Sequence, residues 1–599
     1  MTNIFKTYLL SFLFCIPAVY TFSQDNNPQV SFSNEQDDNI FYHTVERGQT
    51  IYAIASMYNV SADDIYRLNP SSREYIKAGE MLKIPQNDSS VSSSNDKPEE
   101  LYTYHTIRQG ETLYGISKSY NVSAEAISKA NPGLTILSFS AGKTIRIPAT
   151  QIQSLPLVQT QVVTKEIEYT IKKTETMYRL CKKFNTTSSE LIKLNPELRS
   201  GLKAGMVIKV PVETEETVTT NQTHEPNEFD VNSLIAYRNE IQKVDVAKIA
   251  LLLPFQMADS KNSARFVEYY EGFLLAVDSL KKAGNSIDLS VYDIGEGTQK
   301  TMDVLKSESL FSSNLIIGGV SNEQIELIAD YAKKSEIKYV IPLSSKSDKI
   351  TSSNAFVFQV NTPQSYLYSY ATMKACTLFA NYNVILVNTN DKDEKTEFIQ
   401  TFKADTEQRN IPFRELNYNE RTFRNDIVGM LSTYKPNVVM PVSSSMEALS
   451  KIKGPLRILA DSKPAYHLTL FGYPEWQTYA SECLDDFFAL NTYIYTPFYA
   501  NNLSPQVQNF NAKYTHWYKK TMNQTYPKYA MLGFDTGMYF IESICKYGSN
   551  FEDNIQKLGY KSLQDGFYFN NRTNNWGGFM NLNLFIVHYN KDRSISRTE

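Results

Sequence analysis

Apolar positions along this chain follow two patterns that change over near Lys248. Before it they come in short bursts. Tyr42–Val45 alternates as a short strand does. Ile51, Ile54 and Tyr58 then fall at helical spacing behind Thr50, whose hydroxyl suits a helix start. Ser61 opens a second helical stretch carrying Ile65 and Leu68. Asn69-Pro70 ends it, because a residue before proline is pushed out of the α region. Ala78-Gly79 turns the chain into a closing strand at Met81–Ile84. After Lys248 the bursts become continuous runs. Ile249–Pro254 is apolar throughout, as a parallel strand covered on both faces must be. Phe266–Leu280 has helical periodicity, Ile287–Tyr292 reads as a strand and Gln299–Leu310 as a helix. Leu315–Gly318, Glu323–Lys333 and Tyr339–Leu343 continue the alternation. A second copy runs through Asn383–Asn388, Lys395–Gln408 and Asn437–Met440. Strands alternating with helices predict doubly wound α/β sheets, and two copies predict two lobes.

The first pattern is a repeat. Tyr42-His43-Thr44-Val45 recurs as Tyr104-His105-Thr106-Ile107 and as Tyr169-Thr170-Ile171. Gly48-Gln49-Thr50-Ile51-Tyr52 recurs as Gly110-Glu111-Thr112-Leu113-Tyr114 and as Thr174-Glu175-Thr176-Met177-Tyr178. The Asn-Pro pairs Asn69-Pro70, Asn131-Pro132 and Asn195-Pro196 follow at one constant interval. Each unit closes on Ala-Gly and then an apolar residue before proline: Ile84-Pro85, Ile147-Pro148 and Val210-Pro211. Three coincident spacings mark three copies of one strand–helix–helix–strand module.

These units resemble LysM, a small βααβ module that binds N-acetylglucosamine-containing glycans. The resemblance implies modules at 41–86, 103–149 and 168–212, with linkers at 87–102, 150–167 and 213–243. It also implies a shallow sugar groove between the loop after the first strand and the loop before the last. In the first module the groove residues would be Gly48, Gln49, Thr50, Ile51, Ile76, Lys77, Ala78 and Gly79. In the second they would be Gly110, Glu111, Thr112, Leu113, Ala141 and Gly142. Backbone amides and carbonyls there would pair with acetamido groups while Ile or Leu packs on the methyl. The third module carries Thr174 where the turn glycine should stand, so it keeps the fold and departs from the binding pattern. His43 and His105, each beside a strand tyrosine, are expected to be structural. The Ser/Asn/Asp-rich and Thr-rich linkers suggest modules strung as tethered beads, each seeing a raised effective concentration of a polymer.

The segment 244–599 resembles the type I periplasmic-binding fold of the receptor family that includes branched-chain amino-acid binding proteins. The residues that carry this are Ile249–Pro254, Gly272-Phe273 with Ala276-Val277-Asp278, Tyr292-Asp293, Ile317-Gly318-Gly319 with Ser321, Pro342-Leu343-Ser344-Ser345, and Tyr529-Ala530-Met531 before Gly533-Phe534-Asp535-Thr536. The resemblance implies a cleft ligand held at strand carboxyl ends, and Ser321, Ser344, Ser345 and Ser347 fall on the matching loops. The family's Asp…Tyr-Gly wall is replaced here by Asn388-Thr389-Asn390-Asp391-Lys392-Asp393, which weakens the case for an amino-acid receptor. Other members of this fold have lost solute binding and act on wall-building enzymes. The expected fold is therefore multidomain, three small βααβ modules followed by a two-lobed α/β periplasmic-binding-like domain.

Composition narrows the function. With 60 Lys+Arg against 64 Asp+Glu among 599 residues, no basic excess points to nucleic acid. Residues 1–23 read as a secretory signal peptide, with Lys6, an apolar run Tyr8–Tyr20 and small residues at Thr21 and Ser23. The run is short for a spanning helix, and no transmembrane segment is expected in the mature chain. Beyond it, Cys181, Cys376, Cys483 and Cys545 are scattered with no metal-like spacing, so neither metal nor cofactor is expected, and one long-range disulfide stays open. With six dispersed histidines and no GxSxG or HExxH, no catalytic residue is assigned. Carboxylate pairs such as Asp391/Asp393 and Asp485/Asp486 read as solvated loops, and Trp476 and Trp576 would be sugar platforms only if exposed. The sequence thus describes a non-catalytic protein of the periplasm or cell envelope that binds peptidoglycan and presents its clamshell to a peptidoglycan synthase or hydrolase. The alternatives are a small-solute receptor and, behind it, a wall hydrolase.

Overall fold

The computed structural model describes residues 40–46, 49–73, 76–86, 102–136, 138–148, 161–173, 175–184, 186–216, 234–235, 243–257, 260–391, 395–569 and 572–598. The signal-peptide segment and most of the linker residues lie outside the described residues.

Each amino-terminal module is an antiparallel strand pair bridged by two short helices. In the first, strands Ile40–Thr44 and Met81–Pro85 pair in the register Ile40↔Pro85, and helices Ile51–Tyr58 and Ala62–Leu68 lie between them in sequence. The helices begin where the hydroxyls allow: Thr50 accepts the amide of Ala53, and Ser61 that of Asp64. The second module repeats this with strands Tyr102–Thr106 and Thr144–Pro148. The third module's hairpin runs from Gln161 to Glu216, beyond the expected 168–212, because the ladder continues into both flanking segments.

The repeated asparagine does more than end a helix. The Asn69 amide donates to the carbonyls of Ile65 and Lys83 at 2.9 and 2.8 Å, and its oxygen accepts the Lys83 amide at 2.9 Å. Asn131 makes the same three bonds to Ile127 and Arg146, and Asn195 to Leu191 and Lys209. One side chain thereby fixes the second helix to the closing strand. Gly79, Gly142 and Gly205 turn into that strand at φ 88, 85 and 88°, where a Cβ would be strained.

The carboxyl-terminal domain has two lobes. Six parallel strands build the first sheet, ordered Phe579–Met580, Val357–Gln359, Lys338–Ile341, Leu315–Gly318, Ala247–Leu253 and Ile287–Asp293. Ile249, Leu251 and Leu253 pack into one core with Phe266, Phe273 and Phe540, while Ala250 and Leu252 pack into another with Ile325 and Ile328. The continuous apolar run is therefore a strand buried on both faces. The second sheet has seven strands: Phe413–Asn417, Asn383–Asn388, Asn437–Pro441, Leu468–Gly472 and Tyr493–Thr496 run parallel, and Phe585–Tyr589 and Ile595–Thr598 close it antiparallel.

The chain crosses between lobes after Gln359, after Thr496 and after Met580. At the first and third crossings the Thr362 hydroxyl donates to the Asn581 carbonyl at 2.7 Å, and the Asn581 amide donates to the Gln359 carbonyl at 3.0 Å.

Two long helices, Ser260–Lys282 and Tyr529–Tyr547, cross at backbone contact. A Cβ on Gly272 would stand 1.8 Å from the Ala530 carbonyl oxygen, and one on Gly533 would stand 2.0 Å from that of Tyr269. This explains both glycine-bearing motifs. Asp535, two residues on, accepts the amides of Leu563, Gln564 and Asp565 and the Tyr560 hydroxyl at 2.8–3.0 Å, so it is a structural anchor. Burial, and after it the Asp535 carboxylate, push the neighbouring Asp565 well above the usual carboxylate range.

Glycine in an open helix position gains up to ~1 kcal/mol on becoming alanine. Gly429, with open space where a methyl would stand, should show that gain. Gly533→Ala should instead cost about 1–3 kcal/mol, because the two helices must part. Thermal unfolding of both variants checks the opposite signs.

Candidate functional site

The groove of the first module is built on the loop that follows its first strand. His43 Nδ1 lies 2.7 Å from the Tyr58 hydroxyl and its Nε2 2.7 Å from Gln49 Oε1. Gln49 Oε1 also accepts the Glu46 amide at 2.8 Å. The buried imidazole, its pKa lowered by desolvation, ties the groove loop to the first helix. His105 does the same in the second module, reaching Tyr120 at 2.9 Å and Glu111 at 2.8 Å. In the third, Tyr169 takes the position and donates to Glu175 at 2.6 Å. Both histidines are thus structural, as their strand position implies.

Gln49 and Ile76 are half-buried, Thr50 and Ile51 are buried, and Lys77, Ala78 and Gly79 are exposed along the rim. Gly48 and Thr174 lie outside the described residues. In the second module Gly110 and Ala141 are exposed, Glu111 and Thr112 half-buried and Leu113 buried. Gly110 holds φ 85°. Gly142 is half-covered, since a Cβ there would stand 3.0 Å from Thr44 Oγ1 of the first module.

That contact belongs to a larger departure from beads on a string. The Thr106 hydroxyl donates to the Tyr42 carbonyl, Lys143 pairs with Glu46, and Gln86 donates to the Tyr104 carbonyl at 3.1 Å. The modules also dock on the large domain. Trp576, from the first lobe, is 2% exposed and joins the first module's core. Its ring lies 6.0 Å from Tyr58 and 5.5 Å from Tyr104, with the Arg146 guanidinium 4.6 Å above it. Asn575 accepts the Gly133 amide at 2.7 Å and donates to the Thr144 carbonyl at 2.9 Å. The Ser188 hydroxyl donates to the Ser335 carbonyl at 3.1 Å, which seats the third module on the first lobe. Leu234 and Ile235, from a linker, pack into the second module's core.

Sequence reasoning missed these contacts. Trp476 and Trp576, sugar platforms only if exposed, do not meet that condition: Trp476 is fully buried against Phe487 and donates to the Ser444 carbonyl, and Trp576 is the junction just described.

A cavity of about 1030 Å³ opens between the first module's groove and the second lobe. Thr50, Ile51, Ile76, Lys77 and Ala78 line one side. Helices Gln364–Leu378 and Thr396–Gln408 line the other, with Glu397 among their residues. Glu397 is pushed up to about 7 by burial, and its Oε1 is enclosed with no hydrogen-bond partner. Tyr66, Tyr366 and Tyr368 are the titratable groups that feel its charge, and each has its phenol raised by burial.

Three of the four interlobe serines bond within the protein. Ser321 caps the helix Asn322–Ser335 in a capping box with Gln324. The Ser347 hydroxyl donates to Ser344 Oγ at 3.1 Å, and Ser344 Oγ also accepts the Lys346 amide. Ser345 is half-buried on the same loop. In the second lobe, Lys395 pairs with Glu475 at 2.6 Å, and Gln364 donates to Glu475 at 3.1 Å. None of the four serines lines that cavity.

The carboxylates considered for catalysis are held in ion pairs. Asp391 meets Lys451, Asp485 meets Arg593 at 2.5 Å, and Asp486 meets Lys453 and Arg457 at 2.5 and 2.8 Å. Asp393 lies outside the described residues. The four cysteines stand as free thiols. Among the described residues no helix is long and apolar enough to cross a membrane.

A family model described as the LysM domain matches residues 43–85, 105–148 and 169–211. These three segments are LysM domains. Curated relatives include the N-acetylmuramoyl-L-alanine amidase sle1 of Staphylococcus epidermidis, 23% identical over 169 residues, which are 28% of this chain and 50% of the relative. The same-named amidase of Staphylococcus saprophyticus is 25% identical over 169 residues, with the same shares. The chain thus spans about half the length of the curated relatives it matches. Among solved structures, an ABC transporter substrate-binding protein from Desulfitobacterium hafniense in complex with Leu aligns at 14% identity and TM-score 0.34, covering 59% of this chain and 100% of that one. A branched-chain amino acid transporter protein from Rhodopseudomonas palustris aligns at 13% and 0.37, covering 57% and 91%. The two-lobed α/β form following the LysM domains stands on the sheets themselves.

Two outcomes follow from this geometry. Trp576→Ala should cost about 3–5 kcal/mol at the junction and loosen the LysM domains from the lobe, read as a larger radius of gyration in small-angle scattering. Glu397 binds its proton more tightly folded, at about 7, than unfolded, near 4.5. Stability present below the unfolded value is therefore lost as pH rises through about 7. Glu397→Gln should match the wild type near pH ~4 and exceed it increasingly between pH ~5 and ~8, measured by thermal unfolding.

Proposed function

We propose that this chain is a non-catalytic, exported protein of the periplasm or cell envelope. Its LysM domains grip the N-acetylglucosamine-containing glycan of peptidoglycan, and its two-lobed domain serves as a scaffold for a peptidoglycan synthase or hydrolase. The observation that carries the scaffold reading is the bonding of interlobe serines within their own loops. A solute receptor needs a few convergent polar groups left open to its ligand. Here Ser321, Ser344 and Ser347, three of the four serines on the loops expected to hold a cleft ligand, bond to their own loops. The docked LysM domains favour the same reading, since a grip on the wall passes directly to the lobes instead of dissipating in a tether.

Blocking the grooves tests the grip. Gly79, Gly110 and Gly142 hold positive φ, so a side chain there would strain the turn as well as fill the groove. Ala78 and Ala141 are exposed on the same rims without that constraint. Ala78→Trp with Ala141→Trp should weaken co-sedimentation of the full chain with purified sacculi at least ~10-fold, about 1.4 kcal/mol. Undiminished sedimentation would overturn the groove assignment. Amino acids should give no thermal shift, whereas a true solute at 100 times its dissociation constant would add about 2.7 kcal/mol. Incubation with sacculi should release no muropeptides.

A further inference from the structure

We infer that the first LysM domain does not bind glycan alone: the second lobe supplies the opposite wall of its site, so that a glycan strand is held between groove and lobe in one composite cavity. This rests on the reading of the LysM domains as glycan binders.

The placement is specific. The residues lining the cavity from the LysM side are those of the groove itself, from Thr50 and Ile51 to Ile76, Lys77 and Ala78. Those facing them form single stripes on two packed helices. Ser365, Ser369 and Met373 recur every four residues on Gln364–Leu378, and Glu397 and Thr401, with Gln400 and Gln408, share one face of Thr396–Gln408. At about 1030 Å³ the space is at the upper end of ligand-site volumes, more than one sugar ring requires.

Its chemistry fits a glycan. The lobe wall offers the Ser365 hydroxyl and the Gln400 and Gln408 carboxamides, which donate and accept, beside the apolar patches of Met373, Ile51 and Ile76. A glycan with N-acetyl groups presents hydroxyls and amides interleaved with methyl and ring C–H faces. Glu397 adds a carboxyl to the same wall.

The first LysM domain is also fixed relative to this wall. Ser56 donates to Asp348 of the first lobe at 3.0 Å, and Tyr366 of the second lobe donates to the same carboxylate at 3.4 Å. The domain therefore sits across the two lobes, and the groove cannot swing freely from the helices it faces.

The test uses the full chain with the other two grooves closed by Ala141→Trp and Ala204→Trp, both at exposed rim positions. Chitohexaose binding is then measured by calorimetry. Gln400→Trp, on the lobe wall and exposed, should weaken binding at least ~10-fold, as Ala78→Trp on the LysM wall does. Glu397→Gln serves as a second, shape-conserving wall variant and should change affinity measurably. In the unaltered chain, chitohexaose should slow amide exchange across residues 396–408. If Ala78→Trp abolishes binding while Gln400→Trp and Glu397→Gln leave it unchanged, and 396–408 exchanges as before, the groove acts alone and the composite site is wrong. If the closed-groove background binds nothing while the unaltered chain binds, the first groove is not a glycan site and the composite fails by itself. If the unaltered chain binds neither chitohexaose nor sacculi, the glycan reading fails and takes the composite site with it.

Discussion

The arrangement of this molecule depends on one buried indole. Trp576 leaves the first lobe and enters the core of the first LysM domain, where it meets Tyr58 and Tyr104 with Arg146 stacked above it. Burying so large a side chain contributes more than any polar contact at the same junction, since a Trp→Ala truncation in a core costs about 3–5 kcal/mol and an ordinary hydrogen bond nets about 1. Tyr104 and Arg146 belong to the second domain, so the same ring joins two LysM domains and a lobe. Without it the bonds from Asn575 to Gly133 and Thr144 would have to hold the domains in place with little apolar burial behind them.

Within the LysM domains the polar framework is repeated while its chemistry is exchanged. Asn69, Asn131 and Asn195 each make the same three bonds between second helix and closing strand. The strut beneath the groove loop is an imidazole in the first two domains. In the third it is the Tyr169 phenol, which receives a bond from Lys183 at 2.7 Å and gives one to Glu175. A long side chain with a polar end is what the position requires. The departure at Thr174 is thus accompanied by a second one beneath the loop, and the fold tolerates both.

Much of this was legible in the sequence, for physical reasons that can be named. Thr50, Thr112 and Thr176 announce helix starts because their hydroxyls cap them. Ile249–Leu253 announces a doubly covered strand because a face open to water would break the apolar run. The LysM domains were legible by resemblance, and Lys77 and Ala78, expected on the groove rim, are exposed. The cavity wall was not. Ser365, Ser369, Thr401 and Glu397 follow ordinary surface-helix spacing, and only the docking of a distant domain turns that surface inward. Trp576 lay hidden likewise, since a tryptophan in an Asn-rich loop carries no local sign of the core it will enter. The loops bearing the cleft serines were legible by resemblance, but a serine at a helix start serves a cap or a ligand equally well, and only the structure shows Ser321 capping its helix.

The segment around Trp576 also joins the two lobes. Four residues carry the chain from Trp576 to Met580, through strand Phe579–Met580, the edge of the first sheet. There Phe579 stacks on Phe358 at 4.6 Å, and the Arg572 guanidinium covers its other side at 4.6 Å. Arg572 is half-buried and donates to the carbonyls of Ala355 and Gly577, which fixes the loop that presents Trp576. After Met580 the chain crosses to the second lobe and enters its sheet at Phe585. The LysM junction, the edge of one sheet and the last interlobe crossing are thus consecutive on one short stretch of backbone. A shift of the LysM domains at Trp576 must pass into strand Phe579–Met580 before it reaches the hinge bonds of Asn581 with Thr362 and Gln359. Covalent continuity and a dry aromatic stack leave little room for it to be absorbed on the way.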